Sequence, residues 1–276
     1  MSSSEENKFI VLDKTSTIRV EGDDRIQFLQ GQLTQDINLI SQDKALYAGF
    51  CNPKGRVLAF MLCYATQNSI YIQLESSIKE STLKKLKMYV LRSKVSLNLL
   101  EETFTSIGFL GSNVLFELDI QAPKNHLDIV QYDDIMIMRI GKNSERYQLI
   151  GETSKVNEFI KLNFSAYSTM SLDDWNNLNI LDGIPDIYPA TQEIFIPQSL
   201  NMDLIEGINF KKGCYTGQEI VARTHYLGKV KRRMYRAFIK SQVDLNPGDQ
   251  VLNKNGEDIG QLVRSARENN DKTNLL

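Results

Sequence analysis

The amino-acid sequence predicts an α+β fold. Strand-like and helix-like segments alternate along the chain without the regular strand–helix–strand rhythm of a parallel sheet. At 276 residues the chain also exceeds the usual size of one domain, so two or three packed units are expected. Apolar residues make up 42% of the chain and charged residues 24%, which is typical of a folded globular protein. No apolar run approaches the ~20 residues of a transmembrane helix, so we expect no membrane partner.

The first predicted element is an amphipathic helix over residues 23–37, which begins at Asp23 or Asp24. Apolar residues recur within it at spacings of three and four, and so share one stripe of the helix. These residues are Ile26, Leu29, Leu33 and Ile37.

A hairpin and a second helix follow. Residues 45–65 predict two strands joined by the turn 52–55, and the alternating residues of 69–75 continue the sheet. Ser77 and Glu80 form a capping box, which predicts a helix laid on that sheet. Its apolar residues at helical spacing are Leu83, Leu86 and Val90.

The best-delimited helix of the chain is predicted to begin at Ser171, which forms a capping box with Asp174. Gly183 suits the left-handed residue that ends a helix, and Pro185 prevents continuation. Trp175, the only tryptophan, lies in the first turn of this helix. Other predicted elements are strands at 104–111, 133–141 and 145–151, a helix at 153–162, an extended segment at 184–201 and a small β module at 245–266.

Cysteine and histidine are sparse. Cys51, Cys63 and Cys214 contain no CxxC pair, and only His126 and His225 could supply an imidazole. So few cysteines and histidines argue against a disulfide framework and against a protein-bound metal, so we expect no metal site.

Residues 211–219, KKGCYTGQE, place a cysteine just before a predicted helix. Thr216 and Glu219 fit a capping box, so Cys214 would lie at the positive end of the helix dipole, next to Lys211 and Lys212. These conditions favour a thiolate. They equally suit a pocket for a ligand carboxylate or phosphate with Cys214 as a bystander, or a capped helix without further function.

A basic stretch surrounds this motif. Residues 211–240 carry nine lysines and arginines and one acidic residue, Glu219, although the chain has a net charge of −2. RNA, a polyanionic small molecule, an acidic protein partner or solvent alone could face such a stretch. The segment KVKRR at 229–233 lacks interleaved aromatic residues, which weakens the RNA hypothesis. A Cys214–His225 dyad is disfavoured, because the predicted helix would hold the two residues at its opposite ends.

The motif and its surroundings resemble the YgfZ family of folate-binding proteins, relatives of the glycine-cleavage aminomethyltransferase. The similar segments include FIPQSLNMDLIEGINFKKGCYTGQEIVAR, LGKVKRR and DDWNNLNILDGIP, and towards the N-terminus DDRIQFLQGQLTQDI and NPKGRVLAF. They follow one another in order over most of the chain.

The resemblance implies an aminomethyltransferase-like fold of α+β subdomains with a C-terminal β-barrel lobe. It divides the chain into a folate-binding core of two interleaved α+β subdomains at 8–227 and a partial barrel at 228–276. Family members continue for several strands beyond the point that matches Leu276. A short barrel, a truncated one and one completed by a partner chain are alternatives that the sequence leaves open.

The resemblance also implies a function. It predicts a tetrahydrofolate-binding accessory protein for iron–sulfur cluster assembly or repair, which affects tRNA modification through iron–sulfur enzymes. Its partners would be folate and iron–sulfur assembly proteins or client enzymes, with direct tRNA contact less favoured. The N-terminus lacks the basic region followed by an apolar stretch that marks a secretory signal peptide, so we expect a cytoplasmic protein.

Site residues follow by position. Trp175 matches a tryptophan at the folate site. Cys214 matches the signature cysteine, which we expect beside that site as a reactive or partner-contacting thiol whose role stays open. Further folate-binding residues are expected at Thr15, Lys212, Gly213, Tyr215, Gln218, Glu219 and Arg223.

Two departures from the pattern matter. Thr15 stands where some members carry a second tryptophan. Gly55 is followed by Arg-Val-Leu-Ala, whereas the transferases carry an aspartate pair that promotes attack by the folate nitrogen. The sequence therefore favours an accessory protein over the alternative, a folate-dependent aminomethyltransferase.

Overall fold

The computed structural model describes residues 7–240, 243–269 and 272–276. Within these ranges the helices are α1 Arg25–Gln30, α2 Lys79–Lys87, α3 Asn113–Glu117, α4 Thr153–Asn163, α5 Leu172–Asp182 and α6 Gln218–Tyr226. The strands up to residue 169 are β1 Lys8–Val11, β2 Thr15–Glu21, β3 Leu46–Cys51, β4 Val57–Ala65, β5 Ser69–Glu75, β6 Ser96–Leu99, β7 Phe104–Leu110, β8 Ile129–Tyr132, β9 Ile135–Arg139, β10 Arg146–Glu152 and β11 Ser168–Thr169. Those that follow are β12 Ala237–Ile239, β13 Gln250–Leu252, β14 Asp258–Gln261, β15 Ser265–Asn269 and β16 Lys272–Leu275.

Two sheets dominate the described part of the chain. One has the strand order β11-β1-β7-β10-β9-β8 and is antiparallel except for the β1–β11 pair. The other has the order β3-β4-β5-β2-β6 and is antiparallel throughout. Because β1 belongs to the first sheet and β2 to the second, the chain interleaves the two sheets from its start.

Burial explains how the sheets are layered. Every residue of β3 and β4 is buried, so the β3–β4 end of the second sheet is covered on both faces. Its main hydrophobic core also takes in residues of β9, the segment after α5 and the C-terminal strands. The opposite face of the first sheet forms a separate core with α3 and α4.

The C-terminal region forms two small sheets among the described residues. They have the strand orders β12-β16-β15 and β13-β14. Gly256, with φ +80°, lies in the turn between β13 and β14. Strands β13 and β14 confirm the short strands predicted within residues 245–266, and β15 packs against α5.

The predicted 23–37 helix is wrong in extent. Helix α1 ends at Gln30, and Leu33 and Thr34 then pair with β3, where the Thr34 amide donates to the Gly49 carbonyl at 2.9 Å. Ile37 begins a 3₁₀ turn, Ile37–Leu39. Three residues of the predicted stripe, Leu29, Leu33 and Ile37, are fully buried, whereas the fourth, Ile26, is 38% exposed. Strand pairing replaced the last turns of the helix.

The predicted capping box of the second helix is also wrong. A 3₁₀ turn, Ser76–Ile78, precedes α2, and the Glu75 carboxylate accepts from the Ser77 amide at 3.1 Å. Helix α2 starts at Lys79 and ends at Lys87, three residues before Val90.

Helix α5 is confirmed in detail. Ser171 and Asp174 exchange both capping-box hydrogen bonds, and Gly183 has φ +68° in the left-handed region. The following segment to residue 201 is extended apart from 3₁₀ turns at Pro189–Thr191 and Pro197–Leu200. The fold thereby places one face of α5 against β15 and Trp175 on its buried side.

Among the helices that the structure describes, no member has the length and apolarity needed to span a membrane.

Candidate functional site

The central cavity lies where the two large sheets and α5 meet the C-terminal module, which comprises strands β12 to β16. It has two adjoining lobes of about 90 Å³ and 190 Å³. Seven residues line both lobes: Leu12, Thr15, Glu75, Trp175, Asn179, Asp186 and Arg264. Tyr47, Phe60, Gln73 and Gln148 add to the smaller lobe, and Tyr188 to the larger. Aromatic, amide-bearing and acidic residues therefore line one partly open cavity.

Trp175 is held firmly in the cavity wall. Its ring packs on Gly108 of β7, where an added Cβ would lie 2.6 Å from two ring carbons. The guanidinium carbon of Arg146 lies 4.9 Å from the ring centroid, which is cation–π range. Arg146 is itself fixed, since it donates to the Asn179 amide oxygen at 2.9 Å and to the Asp182 carboxylate at 2.6 Å.

The polar floor of the cavity is a hydrogen-bonded chain. Gln148 donates its side-chain amide to the Gln73 amide oxygen at 2.7 Å. Gln73 in turn donates to Ser106 at 2.9 Å and to the Thr15 hydroxyl at 3.2 Å. The Thr15 hydroxyl donates to the Leu12 carbonyl at 2.7 Å. A chain fixed in this way presents polar atoms without reorganisation, which suits ligand recognition.

Two carboxylates face the same space. Asp186 accepts from Arg264 at 2.9 Å, and burial raises the pKa of Asp186 to about 6 despite that cation. Glu75 is the last residue of β5 and also lines both lobes. Sequence reasoning missed both carboxylates and Arg264. The one available signal was an aspartate in the otherwise apolar and proline-rich run IPDIYP.

The Cys214 loop, defined as residues 211–217, lies elsewhere. Cys214 is exposed, whereas Lys212 is buried and donates to three carbonyls: those of Gln30 at 2.7 Å, Leu33 at 2.6 Å and Gln35 at 3.0 Å. Burial lowers the pKa of Lys212 to about 8, so it is still largely an ammonium at neutral pH. It also lies 5.0 Å from the ring centroid of Tyr215, which is buried. The loop is thus tied to the end of α1.

The capping box predicted at Thr216 and Glu219 is wrong. Gly217, at φ +83°, occupies the N-cap of α6, and within the described chain no side chain caps that end. A Cβ at Gly217 would lie 2.4 Å from the Asn52 carbonyl oxygen and 3.0 Å from the Gly55 Cα. The loop packs backbone against backbone on the β3–β4 turn, and only glycine permits this approach.

The structure brings together only two of the predicted folate residues. Trp175 and Thr15 line the central cavity, whereas none of residues 211–226, all of which the structure describes, is among its lining residues. The loop meets the hairpin at Gly55, and the cavity begins at Phe60, up to about 17 Å away along an extended strand. Folate contacts stay predictions for Lys212, Gly213, Tyr215, Gln218, Glu219 and Arg223.

His225 lies near the far end of α6 from Cys214. It is seven residues beyond Gln218, about 10 Å along a helix, and stacks on Phe210 with ring centroids 3.7 Å apart. The prediction that the helix separates this pair is confirmed. Among the described residues, no three His, Cys, Asp or Glu side chains are grouped closely enough to hold a metal ion.

The basic stretch is partly used by the fold. Arg233 forms a two-pronged salt bridge with Asp203, with both N–O distances at 2.8 Å, and Lys212 is buried. The other basic residues are exposed: Lys211, Arg223, Lys229, Lys231, Arg232, Arg236 and Lys240. Tyr226, Tyr235 and Phe238 are exposed along the same stretch, so aromatic side chains do flank KVKRR.

Comparison with known proteins decides the family. A scan of protein-family models gives no match. Proteins of Hamiltonella defensa subsp. Acyrthosiphon pisum, Blochmanniella pennsylvanica and Colwellia psychrerythraea, each named tRNA-modifying protein YgfZ, are 33%, 31% and 32% identical to this chain. The alignments cover 82%, 95% and 95% of this chain and 68%, 84% and 79% of those proteins. The chain belongs to the YgfZ family.

A solved structure supports the fold predicted for this YgfZ-family chain. The glycine cleavage system aminomethyltransferase T from Bartonella henselae superposes with a TM-score of 0.76. The match covers 98% of this chain and 77% of that protein, at 14% sequence identity. The aminomethyltransferase-like α+β fold is confirmed, and at this identity the likeness concerns the fold alone.

Proposed function

We propose that this YgfZ-family protein binds tetrahydrofolate in the central cavity and serves in the cytoplasm as an accessory protein for iron–sulfur cluster assembly or repair. Through iron–sulfur enzymes it would affect tRNA modification, the process for which its relatives are named. One observation carries the proposal: the only tryptophan lies fixed in the wall of a partly open cavity lined by aromatic and polar side chains.

The lining fits a reduced pterin ring. Trp175, Tyr47 and Phe60 offer apolar surface for a flat bicycle, and the amides of the floor offer hydrogen bonds to its heteroatoms. Arg264 lines both lobes, and its Nε is buried without a hydrogen-bond partner in the described chain. Both lobes are smaller than the roughly 300–1,000 Å³ of a drug-sized ligand site. The ring is therefore the part of folate to be enclosed, with its glutamyl tail outside.

Titration with tetrahydrofolate tests the proposal through Trp175, the only tryptophan in the chain. Binding beside the ring should quench its fluorescence saturably, and calorimetry should give the same affinity. Free tryptophan amide at the same absorbance corrects for light absorbed by the folate. The absence of both quenching and binding heat at saturating tetrahydrofolate would show that the cavity does not bind folate.

Cys214 provides the second part of the proposal. It is exposed on a loop that Lys212 and Gly217 fix to the body of the protein, so the thiol is presented to solvent at a defined place. A thiol so placed can contact a partner protein of the iron–sulfur system while folate occupies the cavity. The thiol and the folate site would then act at separate surfaces of the same chain.

The alternative function is folate-dependent aminomethyl transfer. The hairpin after Gly55 lacks the transferase aspartates, but Glu75 and Asp186 bring carboxylates to the cavity from other elements. Because the pKa of Asp186 is raised to about 6, this group could exchange protons near neutral pH. Formation of methylene-tetrahydrofolate from an aminomethyl donor would establish the alternative, and its absence in a protein that binds folate would favour the accessory role.

Direct tRNA contact is a further candidate, favoured by the exposed Tyr226, Tyr235 and Phe238 beside exposed lysines and arginines. Aromatic side chains that stack on bases and cations that meet phosphates are the usual means of binding single-stranded RNA. Affinity for tRNA should then fall steeply between 50 and 200 mM salt, on the order of 10³-fold for six phosphate contacts. If tRNA affinity does not change with salt, direct contact is ruled out, and the effect on tRNA modification would act through partner enzymes.

A further inference from the structure

The C-terminal module inserts one side chain into the central cavity. Arg264 lies between β14 and β15, and its backbone is held by Leu276, whose amide donates to the Arg264 carbonyl at 2.9 Å. Its side chain is 5% exposed and donates to the Asn176 amide oxygen at 2.7 Å and to the Asp186 carboxylate at 2.9 Å. Its Nε is buried and has no partner among the described residues.

Asp186 has unused acceptor capacity beside that cation. One carboxylate oxygen accepts from Arg264, and the other accepts from the Ile187 amide at 2.9 Å. An ionised carboxylate has about four lone-pair sites, so roughly two are left. Asp186 and Arg264 both line the two lobes of the cavity, next to Trp175. An acceptor and a donor therefore lie side by side at the wall of the ligand site.

The pterin ring carries the complementary groups on one edge. Its 2-amino group and ring N3–H are adjacent donors, which a carboxylate accepts together, and the 4-oxo group next to them accepts from a guanidinium. We propose that Asp186 and Arg264 read this 2-amino-4-oxo edge, so that the C-terminal module supplies a specificity-determining residue of the site. The inference rests on the proposed function, because it assumes that the cavity holds the pterin of folate.

A purely structural role for the pair explains less. The module already docks through Val263, Ala266 and Leu276, which join the main hydrophobic core. Asn177 adds hydrogen bonds to the Arg267 carbonyl at 2.7 Å and from Asn274 at 2.9 Å. A buried ion pair adds little stability to such contacts, since the cost of removing both charges from water offsets their attraction. A buried donor left without a partner is likewise costly unless a ligand meets it.

Calorimetry with two ligands tests this inference. The probes are a tetrahydropterin and the matching tetrahydrolumazine, which has an oxo group in place of the 2-amino group. The wild-type protein should bind the pterin roughly 10- to 100-fold more tightly, because one charge-assisted hydrogen bond is lost with the lumazine. The Asp186→Asn variant and the double variant Asp186→Asn/Arg264→Gln should reduce this preference to about threefold or less.

The double variant guards against misfolding, because it leaves no unpaired buried charge. Asp203→Asn/Arg233→Gln removes another arginine–aspartate pair, neither member of which lines the cavity, and should keep the preference. If the wild type binds the pterin without preference, or the folded double variant keeps the preference, the inference is overturned and folate binding stands. If the wild type binds neither probe nor tetrahydrofolate, the proposed function falls, and the inference with it.

Discussion

The central cavity and the Cys214 loop each contain a buried cation, and the two cations are used differently. The ammonium of Lys212 has three N–H groups and gives each of them to a backbone carbonyl. Arg264 keeps an Nε–H without a partner in the described chain, at the wall of a cavity. A cation with every donor used holds a loop in place, whereas a cation with a spare donor beside a cavity is available to a ligand.

The comparison changes the interpretation of the motif. Lys212 and Tyr215 are buried and Gly217 is packed on the hairpin, so these residues shape the loop and Cys214 is exposed from it. The cavity shows the reverse arrangement, in which fixed side chains converge on empty space. Within the described chain the motif thus supports one exposed thiol, and the folate contacts expected of its residues stay predictions.

The largest expected effect comes from Lys212→Met, which keeps the volume and removes the ammonium. Three buried carbonyls would lose their donor, and each costs about 1–3 kcal/mol. We expect the free energy of unfolding in urea to fall by about 3–5 kcal/mol. Lys211→Ala, at the exposed neighbouring position, should change it by less than about 0.5 kcal/mol. Equal stability of the two variants would show that Lys212 does not hold the loop.

Gly217→Ala should come next. The new Cβ would lie 2.4 Å from the Asn52 carbonyl oxygen, and φ at this residue is +83°. Strain and overpacking together predict a loss of about 2–4 kcal/mol in unfolding free energy. Gly213→Ala is the matched control within the same loop, because the described chain has no atom within 4 Å of its Cβ position. If Gly217→Ala is as stable as Gly213→Ala, the close packing on the hairpin is wrong.

Gly108→Ala applies the same change to the cavity. The Cβ would lie 2.6 Å from the Trp175 ring, so the ring must move and stability should fall by about 1–3 kcal/mol. Tetrahydrofolate affinity measured by calorimetry should fall more than in Gly217→Ala, although Gly217→Ala loses more stability. Gly260→Ala, a strand glycine whose Cβ position is clear of described atoms within 4 Å, should leave affinity unchanged. Equal tetrahydrofolate affinities in all three variants would show that the position of the Trp175 ring does not affect ligand binding.

These glycines show what could be predicted from the sequence. Signals carried by neighbouring residues were interpreted correctly: the α5 boundaries at Ser171 and Gly183, and the hairpin turn at 52–55. The capping box at Thr216 had the same kind of local signal, but Gly217 occupies the cap because the loop approaches another part of the chain. Tertiary contact overrode a local pattern there.

The cavity itself could be predicted only in part. The resemblance supplied Trp175 and Thr15, which do line it. Asp186 and Arg264 are 78 residues apart and meet because the C-terminal module docks on α5. No spacing rule connects such a pair in a single sequence, although the run IPDIYP around Asp186 is itself unusual. The 23–37 helix failed for a related reason, namely that β3 offered Leu33 and Thr34 strand pairing.

A pH experiment addresses the support of the cavity wall. His126 lies 5.6 Å from the ring of Tyr47, and burial, with nearby Lys142, lowers the pKa of His126 to about 4. In the unfolded chain this histidine takes up a proton near pH 6.5, so the folded state loses stability as the pH falls from about 6.5 to about 4.

The His126→Gln variant should show a smaller fall in Tm between pH 7 and pH 4.5 than the wild type. Asp186, whose pKa is raised to about 6, acts in the opposite direction, because the folded state holds its proton more tightly than the unfolded chain. His225→Gln, at the exposed end of α6, serves as the matched control. A wild-type decline that His126→Gln does not reduce would assign the acid sensitivity to other groups.

Cys214→Ala should have the smallest effect on the fold and the largest on the proposed partner function. Because the thiol is exposed, we expect unfolding free energy within about 0.5 kcal/mol of the wild type and an unchanged tetrahydrofolate affinity. Support of iron–sulfur enzymes in a deletion strain should be lost.

Cys63→Ala is the counterpart inside the core. Burial raises the pKa of that thiol to about 12, which keeps it protonated and inert, and its loss should cost about 1 kcal/mol of stability while complementation is retained. The two variants thus separate a thiol that acts on a partner from one that only packs. Full complementation by Cys214→Ala would refute the role of the exposed thiol, and the Cys214 loop would then be a structural support for the hairpin alone.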